Sequence, residues 1–168
     1  MKIIGLIDED IVNYKKCSMY IAFPKCDFKC GKDICQNASL INNSTIDIPV
    51  EEVCQRYLKN PLTSAVVLGG LEPFDTPFDL MSFIDCLRNK YKCDDDIVIY
   101  TGYTEDEFRI SVIAYLAIVF QNISKYPNII IKFGRYEPNQ EPHFDEVLGV
   151  KLASDNQYGK RVSDVNLF

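Results

Sequence analysis

Ala65-Val66-Val67-Leu68-Gly69-Gly70-Leu71-Glu72-Pro73 decides the fold. A short run of apolar residues without polar alternation is the pattern of a strand buried on both faces, as in a parallel sheet, and the Gly69-Gly70 pair marks the turn that leaves it. Downstream, Phe78, Met81, Ile84 and Leu87 recur at helical spacing between Phe78 and about Tyr91, and Ile97-Val98-Ile99-Tyr100 repeats the buried strand. Upstream, Ile48-Pro49-Val50-Glu51-Glu52-Val53 opens a helix with Asp47 as its cap and Pro49 in its first turn, running to about Lys59 before Asn60-Pro61. Cys17 to Phe23 forms a strand ahead of it, stopped by Pro24. Beyond the third strand, Thr104 and Glu107 have capping-box form and begin a helical region reaching about Ser124, and Asn128 to Phe133 supplies a fourth strand.

Strands alternating with helices predict an α/β protein, one domain over residues 1–168, with a parallel sheet and right-handed connections. The sheet is expected to be open or curled into a short partial (β/α) barrel with an open side, because a complete eight-stranded barrel needs about 250 residues. Sites in such sheets gather at the C-terminal ends of the strands. Cys26, Cys30 and Cys35 follow the first strand, Glu72 the second, and Thr101-Gly102-Tyr103 the third, so the three segments point to one pocket.

Composition narrows what the pocket serves. The chain has 47% hydrophobic and 25% charged residues, and nothing in it approaches the roughly 18 consecutive apolar residues of a membrane span. A formal net charge of -6 argues against nucleic acid, whose phosphates are met by lysines and arginines. The opening Met1 to Ile7, followed at once by Asp8-Glu9-Asp10, does not read as a signal peptide, and a cytoplasmic location is expected. Seven cysteines are an odd number for a disulfide framework, and three of them lie within ten residues, which points to metal or redox chemistry.

The cysteines alone leave two metals open. Three thiolates suit an iron–sulfur cluster, with one iron left for an exogenous ligand. Intervals of three and four residues equally suit a structural zinc site, with Cys54 or His143 as the fourth ligand. Cys54, Cys86 and Cys93 lie on or beside helices and otherwise read as core or surface thiols, and His143 falls between Pro142 and Phe144 in an expected loop.

The order of motifs resembles the radical S-adenosylmethionine superfamily, and within it the small activating proteins of anaerobic (class III) ribonucleotide reductase. Cys26-Asp27-Phe28-Lys29-Cys30 with Cys35-Gln36-Asn37 resembles the three-cysteine loop; Gly69-Gly70-Leu71-Glu72-Pro73 resembles the Gly-Gly-Glu-Pro strand end; Thr101-Gly102-Tyr103 and Ser154-Asp155-Asn156-Gln157 resemble the activase strand end and its late segment. Three departures stand out: four residues rather than two between Cys30 and Cys35, Ile34 where an aromatic is common, and Gln36 where histidine is frequent. Aligned at equal length, the glycine pair also sits one position early, which puts Leu71 at the second glycine.

The resemblance implies that Cys26, Cys30 and Cys35 ligate a [4Fe-4S] cluster and that Gly70, Glu72, Thr101, Tyr103 and Asn156 contact S-adenosyl-L-methionine. It also implies reductive cleavage to a 5′-deoxyadenosyl radical that installs a glycyl radical on the large subunit of the reductase, with an electron donor such as flavodoxin or ferredoxin. Another small radical enzyme and a non-catalytic zinc-stabilised interaction domain are the competing readings.

Overall fold

The computed structural model describes residues 1–109 and 114–165, so positions 110–113 of the expected third helical region lie outside the described residues. In chain order the elements are β1 (Lys2–Ile3), β2 (Gly5–Asp10), β3 (Ser18–Phe23), β4 (Ile46–Asp47), α1 (Val50–Lys59), β5 (Ala65–Gly70), α2 (Pro77–Asp85), β6 (Asp96–Tyr100), α3 (Glu105–Arg109), α4 (Ala114–Ile123), β7 (Ile129–Phe133), β8 (His143–Asp145), β9 (Val150–Leu152) and β10 (Tyr158–Arg161). Short 3-10 turns and a π-turn at Cys86–Lys90, which continues α2, complete the list.

The four strands expected from sequence are β3, β5, β6 and β7, and they lie side by side, parallel and in chain order. At the edges β2 pairs antiparallel with β3, and β10 antiparallel with β7. The result is an open, mixed six-stranded sheet of order β10-β7-β6-β5-β3-β2, and among the described residues its edges do not meet to close a barrel. Neither edge strand carries the buried apolar run that announces a central strand: β2 reads Gly-Leu-Ile-Asp-Glu-Asp and β10 Tyr-Gly-Lys-Arg.

Alternate residues of the parallel strands enter two different cores. Met19, Ile21, Val66, Leu68, Ile97, Ile99, Ile129 and Ile131 face the helices, where Val53, Tyr57, Leu80, Phe83, Phe108 and Phe120 cover them. Ala65, Val67, Val98 and Ile130 face the other way and are covered by Tyr14 from the loop after β2 and by Leu148 and Leu152 around the β8–β9 hairpin. Burial on both faces is why these strands read as unbroken apolar runs.

Several local expectations are corrected. Gly69 and Gly70 are the last two residues of β5, paired with Ala22 and Phe23 of β3, rather than the turn that follows it. Asp47 belongs to β4, opposite Lys2, and does not cap α1, whose cap position is Pro49. His143 lies in β8, not in a loop. The capping box stands: the Glu107 carboxylate accepts from the Thr104 N–H (2.9 Å) and the Thr104 hydroxyl accepts from the Glu107 N–H (3.2 Å).

Gly70 is fixed by its neighbours. Its φ is +89°, and a Cβ there would fall 2.7 Å from the Phe23 nitrogen and 2.8 Å from the Ala22 Cα. Gly70→Ala is therefore expected to destabilise the protein by about 2–4 kcal/mol, combining a left-handed backbone with an overpacked contact. Gly5→Ala, where nothing lies within 4 Å of the new Cβ, is expected to stay within about 0.5 kcal/mol of the parent. Denaturant midpoints of the two variants check this.

Candidate metal centre

The cysteine loop leaves β3 at Phe23 and is held against the end of β5 by three contacts. The Glu72 N–H donates to the Lys25 carbonyl (2.7 Å), the Asp27 N–H to the Asp75 carboxylate (2.9 Å), and the Asn37 side-chain amide to the Gly70 carbonyl (3.0 Å). Within the loop, Phe28 and Gly31 take positive φ (52° and 87°), and tight turns run from Phe28 to Gly31 and from Gly31 to Cys35. Those reversals turn Cys26, Cys30 and Cys35 towards one cavity of about 310 Å3, a volume within the usual range of small-molecule sites.

Three thiols line the cavity. A zinc ion with Zn–S bonds of about 2.3 Å would hold its sulfurs roughly 3.8 Å apart. Here the three sulfurs do not all lie within 4.8 Å of one another. Cys30 and Cys35 share a hydrogen bond, whereas Cys26 stands nearer the carboxylates of Asp27 and Asp75. Neither candidate for a fourth zinc ligand reaches the cavity: among the described residues it is lined by no cysteine or histidine beyond these three. Cys54 is fully buried on α1 among the helix-side core. Three soft thiolates without a fourth protein ligand fit an iron–sulfur cluster with one iron open to a further ligand.

Electrostatics at the cysteines oppose free thiolates. Burial pushes the Cys26 thiol up to about 12; the Phe28 N–H, 3.2 Å from its sulfur, counteracts this, while Glu72, Asp75 and Asp27 add to it. Burial, followed by the neighbouring Cys35, raises Cys30 as well. Cys26 and Cys30 thus hold their protons until a metal displaces them.

The remaining expected contacts divide into those that reach the cavity and one that does not. Gly70, Glu72, Thr101 and Tyr103 all line it. Glu72 is buried; its Oε1 accepts from the Phe74 N–H (3.2 Å), its Oε2 from the Gly102 N–H (2.8 Å), and the Thr101 hydroxyl donates to it as well. Burial lifts its carboxyl to about 7 despite those donors. The Tyr103 hydroxyl donates to Asp75 (2.7 Å), and the ring lies 4.6 Å from the Lys29 ammonium and 5.6 Å from the Arg135 guanidinium, which forks onto Glu107. Asn156 does not line the cavity: its amide donates to the Arg135 carbonyl (2.9 Å) and to Glu137 (3.2 Å), tying down the segment beside the site. Gln157, its neighbour, does line the cavity, and its Oε1 accepts from the N–H groups of Ala153 and Ser154.

Lys132 is a cavity residue that sequence reading passed over. It interrupts the apolar run Ile129-Ile130-Ile131-Lys132-Phe133, and a lone charge in a strand buried on both faces is the signal that marks it. Its ammonium donates to the Gly134 carbonyl (2.7 Å) and sits 5.8 Å from the Tyr100 ring; burial pulls it down to about 8, with Glu72 opposing.

The family described as a 4Fe-4S single cluster domain matches residues 15–152, from just ahead of β3 to the end of β9. No curated protein and no solved structure gives a match. That match marks the chain as an iron–sulfur protein. The chain belongs to the 4Fe-4S single cluster domain family, and Cys26, Cys30 and Cys35 all line its cavity. Among the described residues no helix is long and apolar enough to cross a membrane.

Two measurements test the site. Changing Cys26, Cys30 or Cys35 singly to alanine is expected to abolish bound iron and sulfide after anaerobic purification, while Cys54→Ala keeps both; zinc as the bound metal would refute the assignment. For Lys132, a depressed native pKa means that the folded state carries a penalty below pH 8, which fades as pH rises towards the unfolded value of 10.5. Lys132→Met should accordingly melt a few degrees above the parent at pH 7, and the gap should narrow as pH rises above 8.

Proposed function

We propose that the chain is a radical S-adenosylmethionine enzyme that installs a glycyl radical on anaerobic ribonucleoside-triphosphate reductase. The observation that carries the reading is the convergence of three thiols on a cavity that offers no fourth cysteine or histidine and is also lined by the Gly70–Glu72 and Thr101–Tyr103 strand ends. Cys26, Cys30 and Cys35 would hold the [4Fe-4S] cluster, which would supply the one electron that splits S-adenosylmethionine into methionine and the 5′-deoxyadenosyl radical needed to take a hydrogen atom from the partner's glycine.

The chain's own residues hold the reactants in place. Glu72 sets a buried negative charge beside the cavity for the cofactor's ammonium group, and its bonds to the Phe74 and Gly102 N–H groups fix its direction. Asn37 holds the cysteine loop to the Gly70 carbonyl, so the thiols keep their position relative to that strand end. Tyr103, anchored on Asp75, lines the same space. The sheet is open rather than closed into a barrel among the described residues, which supports access for a loop of a large partner. A reductant of the flavodoxin or ferredoxin kind completes the reaction in a reducing cytoplasm.

The test is anaerobic incubation of reconstituted protein with a reductant, S-adenosylmethionine and reductase deuterated at its glycines. Deuterium in 5′-deoxyadenosine together with a glycyl radical signal is the expected result. Cleavage without deuterium transfer to deoxyadenosine would move the substrate to another radical reaction, and absence of cleavage would sink the radical reading altogether.

A further inference from the structure

Four of the seven cysteines do not line the cavity, and three of those come together on the helix side of the sheet. Cys54 belongs to α1 and is fully buried. Cys86 opens the π-turn that continues α2, and Cys93 lies between that turn and β6; both are partly exposed, and all three are free thiols. The Cys54 and Cys86 side chains are in direct contact, whereas Cys93 acts on Cys54 at longer range.

The surroundings hold this pair in place. Beside it, the Lys90 ammonium donates to Glu51 (2.9 Å) and the Gln55 amide to the Tyr91 hydroxyl (3.1 Å), so α1 and the π-turn are joined without help from either sulfur. The Cys86 carbonyl accepts from the Tyr91 N–H five residues on (3.1 Å), a wide turn of the kind that recurs at functional positions. A closed single-ion site is not built here: the three sulfurs do not all lie within 4.8 Å of one another, and the one histidine of the chain lies in β8. What the fold presents is a dithiol with one buried and one accessible sulfur.

We infer that Cys54 and Cys86 form a dithiol–disulfide couple, separate from the cluster cysteines, that exchanges with small disulfides in the surroundings. Cys86 is the entry point because it is partly exposed; burial pushes the Cys54 thiol up, with Cys86 adding to it, so Cys54 stays protonated at rest. The Cys86 sulfur attacks one sulfur of a small disulfide, forming a mixed disulfide and releasing one small thiol. Cys54 then attacks the Cys86 sulfur, the protein disulfide forms and the second small thiol leaves. Two protein thiols are thereby oxidised by two electrons, the small disulfide is reduced to two thiols, and the two protons pass to the departing thiolates. The bond ties α1 to the end of α2 across 32 residues of chain. The inference uses neither the cluster nor the cavity, so it and the proposed function can fail separately.

The experiment equilibrates anaerobically purified, iron-loaded protein with mixtures of reduced and oxidised glutathione, alkylates the remaining thiols and maps the unreduced peptides by mass spectrometry. The expected product is a peptide pair joined through Cys54 and Cys86, formed with iron content unchanged and reversed by dithiothreitol. The oxidised form should melt about 5–10 °C above the reduced form, as a disulfide closing a loop of this length does. Cys54→Ala and Cys86→Ser should each lose both the cross-link and the melting shift, while Cys93→Ser keeps both. If Cys54→Ala fails to fold, Cys86→Ser, altered at a partly exposed position, carries the comparison. Glutathione left as a mixed disulfide on Cys86, a Cys86–Cys93 link in place of the expected one, or Cys54 still free in the most oxidising mixture overturns the inference.

Discussion

Glu72 joins the parts of the site more directly than any other residue. Its backbone N–H holds the start of the cysteine loop through the Lys25 carbonyl, its Oε1 caps the turn after β5 through Phe74, and its Oε2 holds the end of β6 through Gly102. Cysteine loop, β5 and β6 are thereby registered on one residue that is itself 4% exposed. Three N–H or O–H donors converge on it, so burial is offset by hydrogen bonds yet remains costly enough to lift its acidity towards neutrality. A surface glutamate in the same turn would bind nothing and order nothing.

Around that point the chain compensates for the absence of bulk. Gly70 lets β5 approach β3 closely, and its carbonyl, turned out of the ladder at the strand end, is taken by Asn37 from the cysteine loop. Gly134 works in the same way at the end of β7. Its φ is +94°, a Cβ would fall 2.8 Å from the Asn156 carbonyl, and its own carbonyl receives the Lys132 ammonium. Two glycines at the ends of β5 and β7, on either side of β6, thus set how near the backbone comes, and two polar side chains take the carbonyls they turn outward.

Charge is distributed unevenly in this acidic protein. Asp27, Asp75 and Glu72 surround Cys26, whereas Arg135 lies on the side of Cys30. Negative groups near a cluster's ligands disfavour adding an electron and lower its potential, and N–H donors to sulfur act in the opposite sense. The Phe28 N–H at Cys26 and the guanidinium of Arg135, itself neutralised by Glu107, are the elements of this fold that moderate the field of the three carboxylates.

The parallel core was legible in the chain because each of its strands is buried on both faces, and burial writes an unbroken apolar run: Ala65 to Leu68, Ile97 to Tyr100, Ile129 to Phe133. The cysteines were legible for a similar reason, since thiols within ten residues need no fold to bring them together. The edge strands β2 and β10 were not, because an edge needs no apolar run, only a neighbour with free backbone groups. Nor was the assignment of Asn156, which ties down a turn, against Gln157, which faces the cavity, since one residue of rotation separates them and only the path from β9 to β10 decides it. By itself the chain determined an α/β sheet with a thiol site at its strand ends, through hydrophobic burial and local cysteine spacing. Only tertiary structure decided that Lys132, sixty residues on from Glu72, lines the same cavity, because the distance between strand ends is created by strand order and packing alone.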